Sequence, residues 1–147
     1  MGLIFVLILW STSLFGQSIP DLPLQDVRGL TIDLTEANEK WLLLTASEAG
    51  CSFTHTGIDQ LFAEFNQQSH IQVVVLDYES EARTKEIYED FLDAENFFFV
   101  ADNSATKQAF KKNYSPQYAL FNPQGQLVWK AKGLKRLNLD KVKAKMN

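Results

Sequence analysis

The chain carries one cysteine, Cys51, among its 147 residues. A single thiol excludes an internal disulfide, and with it every redox cycle that closes a bond between two cysteines of one chain. Metal ligands are as scarce. Two distant histidines, His55 and His70, and one cysteine fall short of the three converging protein ligands that a zinc site normally needs. A basic excess is absent too: the formal charge of -4 and a pI near 5.1 exclude a general nucleic-acid binder. No low-complexity linker or repeat divides the chain, which is too short for two ordinary domains and long enough for one packed core.

Long hydrophobic runs are also missing. The one apolar run of note, "GLIFVLILW" at 2–10, is too short to span a bilayer comfortably and is followed by the small, polar "STSLFGQS". Residues 1–16 therefore read as an export signal, with cleavage after Gly16 leaving Gln17 first and a domain over 17–147. Leu14 stands where a small residue is usual and no Lys or Arg precedes the run, so an uncleaved membrane anchor is the alternative. Cys51 is too distant to be a lipidated cysteine at the cleavage point.

What the chain does contain is a regular succession of elements. "SIPDLPLQDVRGLTIDL" reads as an extended lead-in and a short hairpin, with Pro20 and Pro23 blocking helix and Arg28-Gly29 at the turn. "KWLLLTA" is a short buried strand. Ile58, Leu61, Phe62 and Phe65 then recur at the spacing of one helical face, which predicts a helix from about Thr54 to Gln68. "IQVVVLD" at 71–77 is a continuous apolar run, as expected of a strand covered on both faces. Strand, helix and strand make a parallel crossover, right-handed by the usual rule.

A second helix is marked by Ile87, Tyr88, Phe91 and Leu92, followed by a strand in "NFFFVAD" and a short helix in "SATKQAFKKN" that Ser104 would cap. "QYALFNPQGQLVWKA" predicts two strands around a tight reversal at Asn122-Pro123-Gln124-Gly125. A last helix buries Leu139, Val142 and Met146. The expected fold is α/β: a central mixed sheet flanked by helices on both faces. The acidic stretch 79–95 and the lysine-rich C-terminal end read as solvated faces, and the phenylalanines at 97–99 as core.

From Pro20 to Asn147 the chain resembles the exported thioredoxin-like proteins of the TlpA and AhpC/TSA (redoxin) type. "LLTASEAGCSFT" lies without a gap on that family's strand and Cys-x-x-Cys motif, which puts Cys51 on the first cysteine and Thr54 on the second. "PQYALFNPQG" lies on the later motif, putting Pro116 on the family's cis-proline and Gly125 on its turn glycine. The resemblance implies a thioredoxin-like fold, no cofactor, and partners that are protein thiols or disulfides, small thiols and an external reductant. It implies no nucleic acid, and a membrane only where the N-terminal segment is retained. In this family the residue before the cis-proline, here Ser115, pairs main chain to main chain with an extended substrate.

The departures from the pattern decide the chemistry. The usual tryptophan is Gly50, the central pair is Ser52-Phe53, and the resolving cysteine is Thr54. Thr45 stands where thioredoxins have a buried acid. The two-cysteine cycle is therefore excluded, and monothiol chemistry remains, with Cys51 as nucleophile and the Thr54 hydroxyl as a donor to its sulfur. Two other classes stay open. One is a non-catalytic module that keeps the groove between the Cys51 loop and Pro116 for a peptide, with Cys51 as a small packing residue. The other is a peroxidase of peroxiredoxin type, against which stand Glu48 in place of a threonine and Ser115-Pro116-Gln117 in place of a late arginine. Export places all three in the periplasm or cell envelope, or outside the cell.

Overall fold

The computed structural model describes residues 19, 23–35, 39–47, 52–101, 116–132 and 137–147, with the main chain alone for residues 47, 52–55, 116, 117 and 132. Strands β1 (Pro23–Gln25) and β2 (Thr31–Asp33) form the antiparallel hairpin. Gly29 sits at its turn with φ +86°, a conformation glycine adopts without penalty.

Five strands make the main sheet: β3 (Trp41–Ser47), β4 (Ile71–Asp77), β5 (Phe97–Val100), β6 (Pro116–Phe121) and β7 (Leu127–Lys132), in the order β5-β4-β3-β6-β7. β3 is parallel to β4 and β4 to β5, while β6 runs antiparallel to both β3 and β7. The sheet is mixed, as expected. The β6–β7 reversal is the tight one predicted: Asn122 Oδ1 accepts from Gln124 N–H at 3.1 Å and Gln126 N–H at 2.9 Å, and Gly125 takes φ +75°.

Strand alternation divides the core in two. Leu43, Ile71, Val73, Val75, Phe97, Phe99, Tyr118 and Leu120 face one layer, where Ile58, Leu61 and Phe65 of α1 (Ser52–Phe65) and Val142 of the C-terminal helix, Leu139–Met146, pack against them. Helix α2 (Glu81–Ile87) leads through Tyr88 into a 3-10 turn at Glu89–Phe91. Leu42, Leu44, Val74, Leu76, Ala119 and Phe121 face the second layer, which Leu24, Ile32 and Leu34 of the hairpin region help to close. Each such fully buried aliphatic or phenyl side chain favours the folded state by roughly 1.5–3 kcal/mol. The helix expected at "SATKQAFKKN" and the segment 1–16 lie outside the described residues.

The turn between β1 and β2 also seals an edge of the main sheet. Val27 N–H donates to the Phe99 carbonyl at 2.9 Å, and Phe99 N–H donates to Asp26 Oδ2 at 2.8 Å. Arg28 holds the same carboxylate, Nε to Oδ1 at 2.7 Å and an Nη to Oδ2 at 3.1 Å, and donates onward to the carbonyls of Leu92 (2.6 Å) and Phe97 (2.7 Å). β5 therefore presents its outer main chain to the hairpin rather than to another molecule.

Two sequence expectations shift. Helix α1 runs 52–65 rather than 54–68, because Asn96 Nδ2 captures the carbonyls of Phe65 (2.7 Å), Gln68 (3.1 Å) and Ile71 (3.1 Å) and turns the chain into β4. The apolar set Ile87, Tyr88, Phe91 and Leu92 lies on the end of α2 and the 3-10 turn beyond it, not on one continuous helix.

Candidate functional site

The elements that would carry the candidate site meet at one end of the sheet. β3 ends at Ser47, residues 48–51 follow, and α1 begins at Ser52, so Cys51 is the residue directly before the helix. β6 starts at Pro116. Thr45 of β3 is paired with Tyr118, two residues into β6 from Pro116. The start of α1, the end of β3 and the start of β6 thus share one end of the fold. Helix α1 has no acidic residue in its first turn, so nothing there offsets the positive end of its dipole.

Cys51 and Ser115 lie outside the described residues, as does the geometry of the Ser115–Pro116 bond. Thr54 and Pro116 are placed by their main chain, in the first turn of α1 and as the first residue of β6.

Behind this end, on the face that α1 covers, the described residues include three buried polar side chains that belong to neighbouring strands: Thr45 of β3, Asp77 of β4 and Tyr118 of β6. Asp77 pairs with Ser47 in register and is only 4 % exposed. Its Oδ1 accepts the N–H groups of Tyr78 (2.6 Å) and Glu79 (3.1 Å), while Oδ2 is buried with no hydrogen-bond partner. Burial pushes its pKa above the ordinary carboxylate value; the Glu79 and Tyr78 N–H groups and the Tyr88 side chain pull it back, and the Glu79 charge adds to the rise. Sequence reading passed over Asp77. The available signal was an acid ending a mostly apolar, buried strand, where a buried charge is costly.

Tyr118 crosses to α1. Its hydroxyl lies against Gly57, with Leu137 beside it. A tyrosine on β6 fits there because α1 has glycine at the contact. Trp129 flanks the Tyr118 ring at 6.4 Å between centroids.

Comparison with known proteins supports the fold. No family model and no curated protein matches the chain. Among solved structures it is similar to the thioredoxin domain of a thiol-disulfide oxidoreductase from Bacteroides vulgatus, at 19% identity and a TM-score of 0.67, covering 90% of this chain and 97% of that one. It is similar to the exposed lipoprotein thioredoxin of Streptococcus pneumoniae, at 22% identity and a TM-score of 0.64, covering 85% and 96%. A thiol peroxidase from Chromobacterium violaceum gives 12% identity and a TM-score of 0.67, covering 88% and 83%. The chain has a thioredoxin-like fold. Among the described residues no helix is long and apolar enough to cross a membrane.

Proposed function

We propose that the protein is an exported thiol-disulfide oxidoreductase of monothiol type, with Cys51 as its nucleophile. The observation that carries this reading is the position of the chain's one cysteine in a thioredoxin-like fold: directly before α1, at the end of the sheet where β6 begins. Unpaired N–H groups and the helix dipole at such a junction favour thiolate over thiol, and thiolate is the attacking species.

The chemistry follows from what the chain lacks. Cys51 attacks a sulfur of a client disulfide, a mixed disulfide forms, and the client's second sulfur leaves. Thr54, one helical turn on from Cys51, stabilises the Cys51 sulfur through its hydroxyl but cannot attack it. Release therefore waits for an external thiol. The main chain of Ser115, just before β6, is the edge on which an extended client segment pairs, and Pro116 shapes that edge. Location in the cell envelope accords with the exposed lipoprotein of similar fold and with the apolar N-terminal segment.

The test is capture. With Cys51→Ser the fold is expected to persist, at a cost on the order of 1 kcal/mol or less, and client adducts on non-reducing gels are expected to vanish. Adducts that persist in this variant contradict the assignment. Peptide binding that is unchanged by loss of the thiol, without any adduct in the wild type, identifies a binding module instead.

A further inference from the structure

We propose that the outer edge of β7 is a docking site for an extended acidic peptide segment, which adds to the sheet as a further strand. The site is separate from the thiol chemistry and does not depend on it.

The two edges of the main sheet differ. At one, the main chain of β5 is closed by Asp26 and Val27. At the other, β7 is the last strand in the order, and among the described residues it makes no main-chain hydrogen bond beyond its ladder with β6. Such an edge offers a row of N–H and C=O groups on which an extended segment can pair, while the flanking side chains choose the partner.

Those side chains are basic on both faces. Lys130 pairs with Ala119, which faces the hairpin layer, so Lys130 stands on that side of β7, and it is exposed. Trp129 and Ala131 pair with Leu120 and Tyr118 and stand on the opposite side, where the C-terminal helix packs beside β7. That helix turns Leu139, Val142 and Met146 to the core and ties Lys143 to Glu64 of α1, Nζ to Oε1 at 2.9 Å. Helical spacing then sets the exposed Lys141 and Lys145 together on the flank away from α1, which borders the β7 edge. The one acid of the helix, Asp140, falls three residues before Lys143, on the α1 side.

The charge selects the occupant. A second copy of β7 would bring lysines to lysines across the new pair, which is unfavourable, whereas a strand carrying carboxylates on both faces meets Lys130 on one and Lys141 and Lys145 on the other. The partly exposed Leu127, Val128, Trp129 and Ala131 supply apolar contact along the same edge. The ladder is regular only where Tyr118, Ala119 and Leu120 meet Ala131, Lys130 and Trp129, between two register shifts. Few main-chain bonds are therefore on offer, and the lysines carry much of the selectivity.

The experiment titrates the full chain with the peptide acetyl-Glu-Glu-Val-Glu-Glu-Val-Glu-amide at low salt and follows amide hydrogen exchange in β7. Binding is expected, with slowed exchange at alternate residues of Leu127–Lys132, and none with the same peptide carrying Lys for Glu. Lys130→Glu is expected to weaken binding about five-fold or more, as is Lys141→Glu combined with Lys145→Glu. Salt at about 1 M, where the Debye length is about 3 Å, should weaken it comparably. N-methylation of alternate peptide residues separates pairing from mere charge: the set whose N–H groups face β7 abolishes binding, and the other set leaves it. Tolerance of both methylated sets, binding without protection in β7, equal binding of the basic peptide, or no binding at low salt each overturns the proposal. Protection of β7 that rises with protein concentration in the absence of peptide assigns the edge to a second copy and overturns it too.

Discussion

The hydroxyl of Tyr118 rests on Gly57 of α1 so closely that a methyl group added at Gly57 would overlap it. This contact fixes how near α1 approaches β6, and so how the start of the helix sits against the end of the sheet. In an unconstrained helix interior, alanine is favoured over glycine by roughly 1 kcal/mol.

Here the sign is expected to reverse. Overpacking a filled interior costs about 1–3 kcal/mol, and the obstructing atom ends a rigid, buried ring. Gly57→Ala is therefore expected to destabilise. Adding Tyr118→Phe removes the oxygen and leaves the ring carbon at 3.5 Å, an ordinary contact. Urea midpoints across the double-mutant cycle should show the second change recovering part of the first. A Gly57→Ala variant more stable than the wild type would show that the helix does not sit where described.

The Asp26–Arg28 pair is expected to be among the most sensitive surface-proximal positions. Arg28→Ala leaves the fully buried Asp26 carboxylate without its cation and strips donors from the carbonyls of Leu92, Ala94 and Phe97. Breaking a buried pair in this way costs about 3–5 kcal/mol. Arg28→Lys keeps the charge but not the fork that reaches carboxylate and carbonyls together, so it should recover only part. Chemical denaturation measures both, and a loss below about 1 kcal/mol, the range of an exposed pair, would contradict the staple.

Stability should also carry the mark of Asp77. Its pKa is raised in the folded state, so the folded chain holds that proton more tightly than the unfolded one. The sign follows: the contribution of this group favours folding below its unfolded value, about 3.9, and declines as pH rises through the folded value, after which it is constant. The difference in urea midpoint between wild type and Asp77→Asn should shift against the wild type across that window. A difference that is flat with pH, or moves the other way, contradicts the burial described for this carboxyl.

Thr54→Cys restores a second thiol one turn into α1, giving Cys-Ser-Phe-Cys at the helix start. On oxidation the variant is expected to lose both free thiols to an internal disulfide and to reduce a protein disulfide faster than the wild type with an external dithiol. Two free thiols that persist under oxidation would undo the alignment of Cys51 and Thr54 on which the site rests.

Local pattern carried much of this fold, and contacts distant in sequence account for what it missed. β4 could be read to its limits because a strand buried on both faces shows as a nearly continuous apolar run, here broken only by Gln72 before Asp77 closes it. The two reversals were legible from Arg28-Gly29 and Asn122-Pro123-Gln124-Gly125, whose turn chemistry is local. The end of α1 was not, since Asn96, which takes its last carbonyls, is some thirty residues away, with separations of 31 and 28. Nor was the Arg28 staple, whose carbonyl partners lie 64 and 69 residues on. At the candidate site, sequence alignment picked out Cys51, Thr54, Ser115 and Pro116, while Asp77 emerged only once the strand register set it beside the end of β3.

The reactivity of Cys51 is the claim on which the functional account stands. Its most direct test is the rate of alkylation of the folded chain's one thiol as a function of pH. The account predicts a thiol that reacts in the folded state with an apparent pKa well below about 8.5, the value of a free cysteine. A thiol that resists alkylation until the chain is unfolded would contradict it.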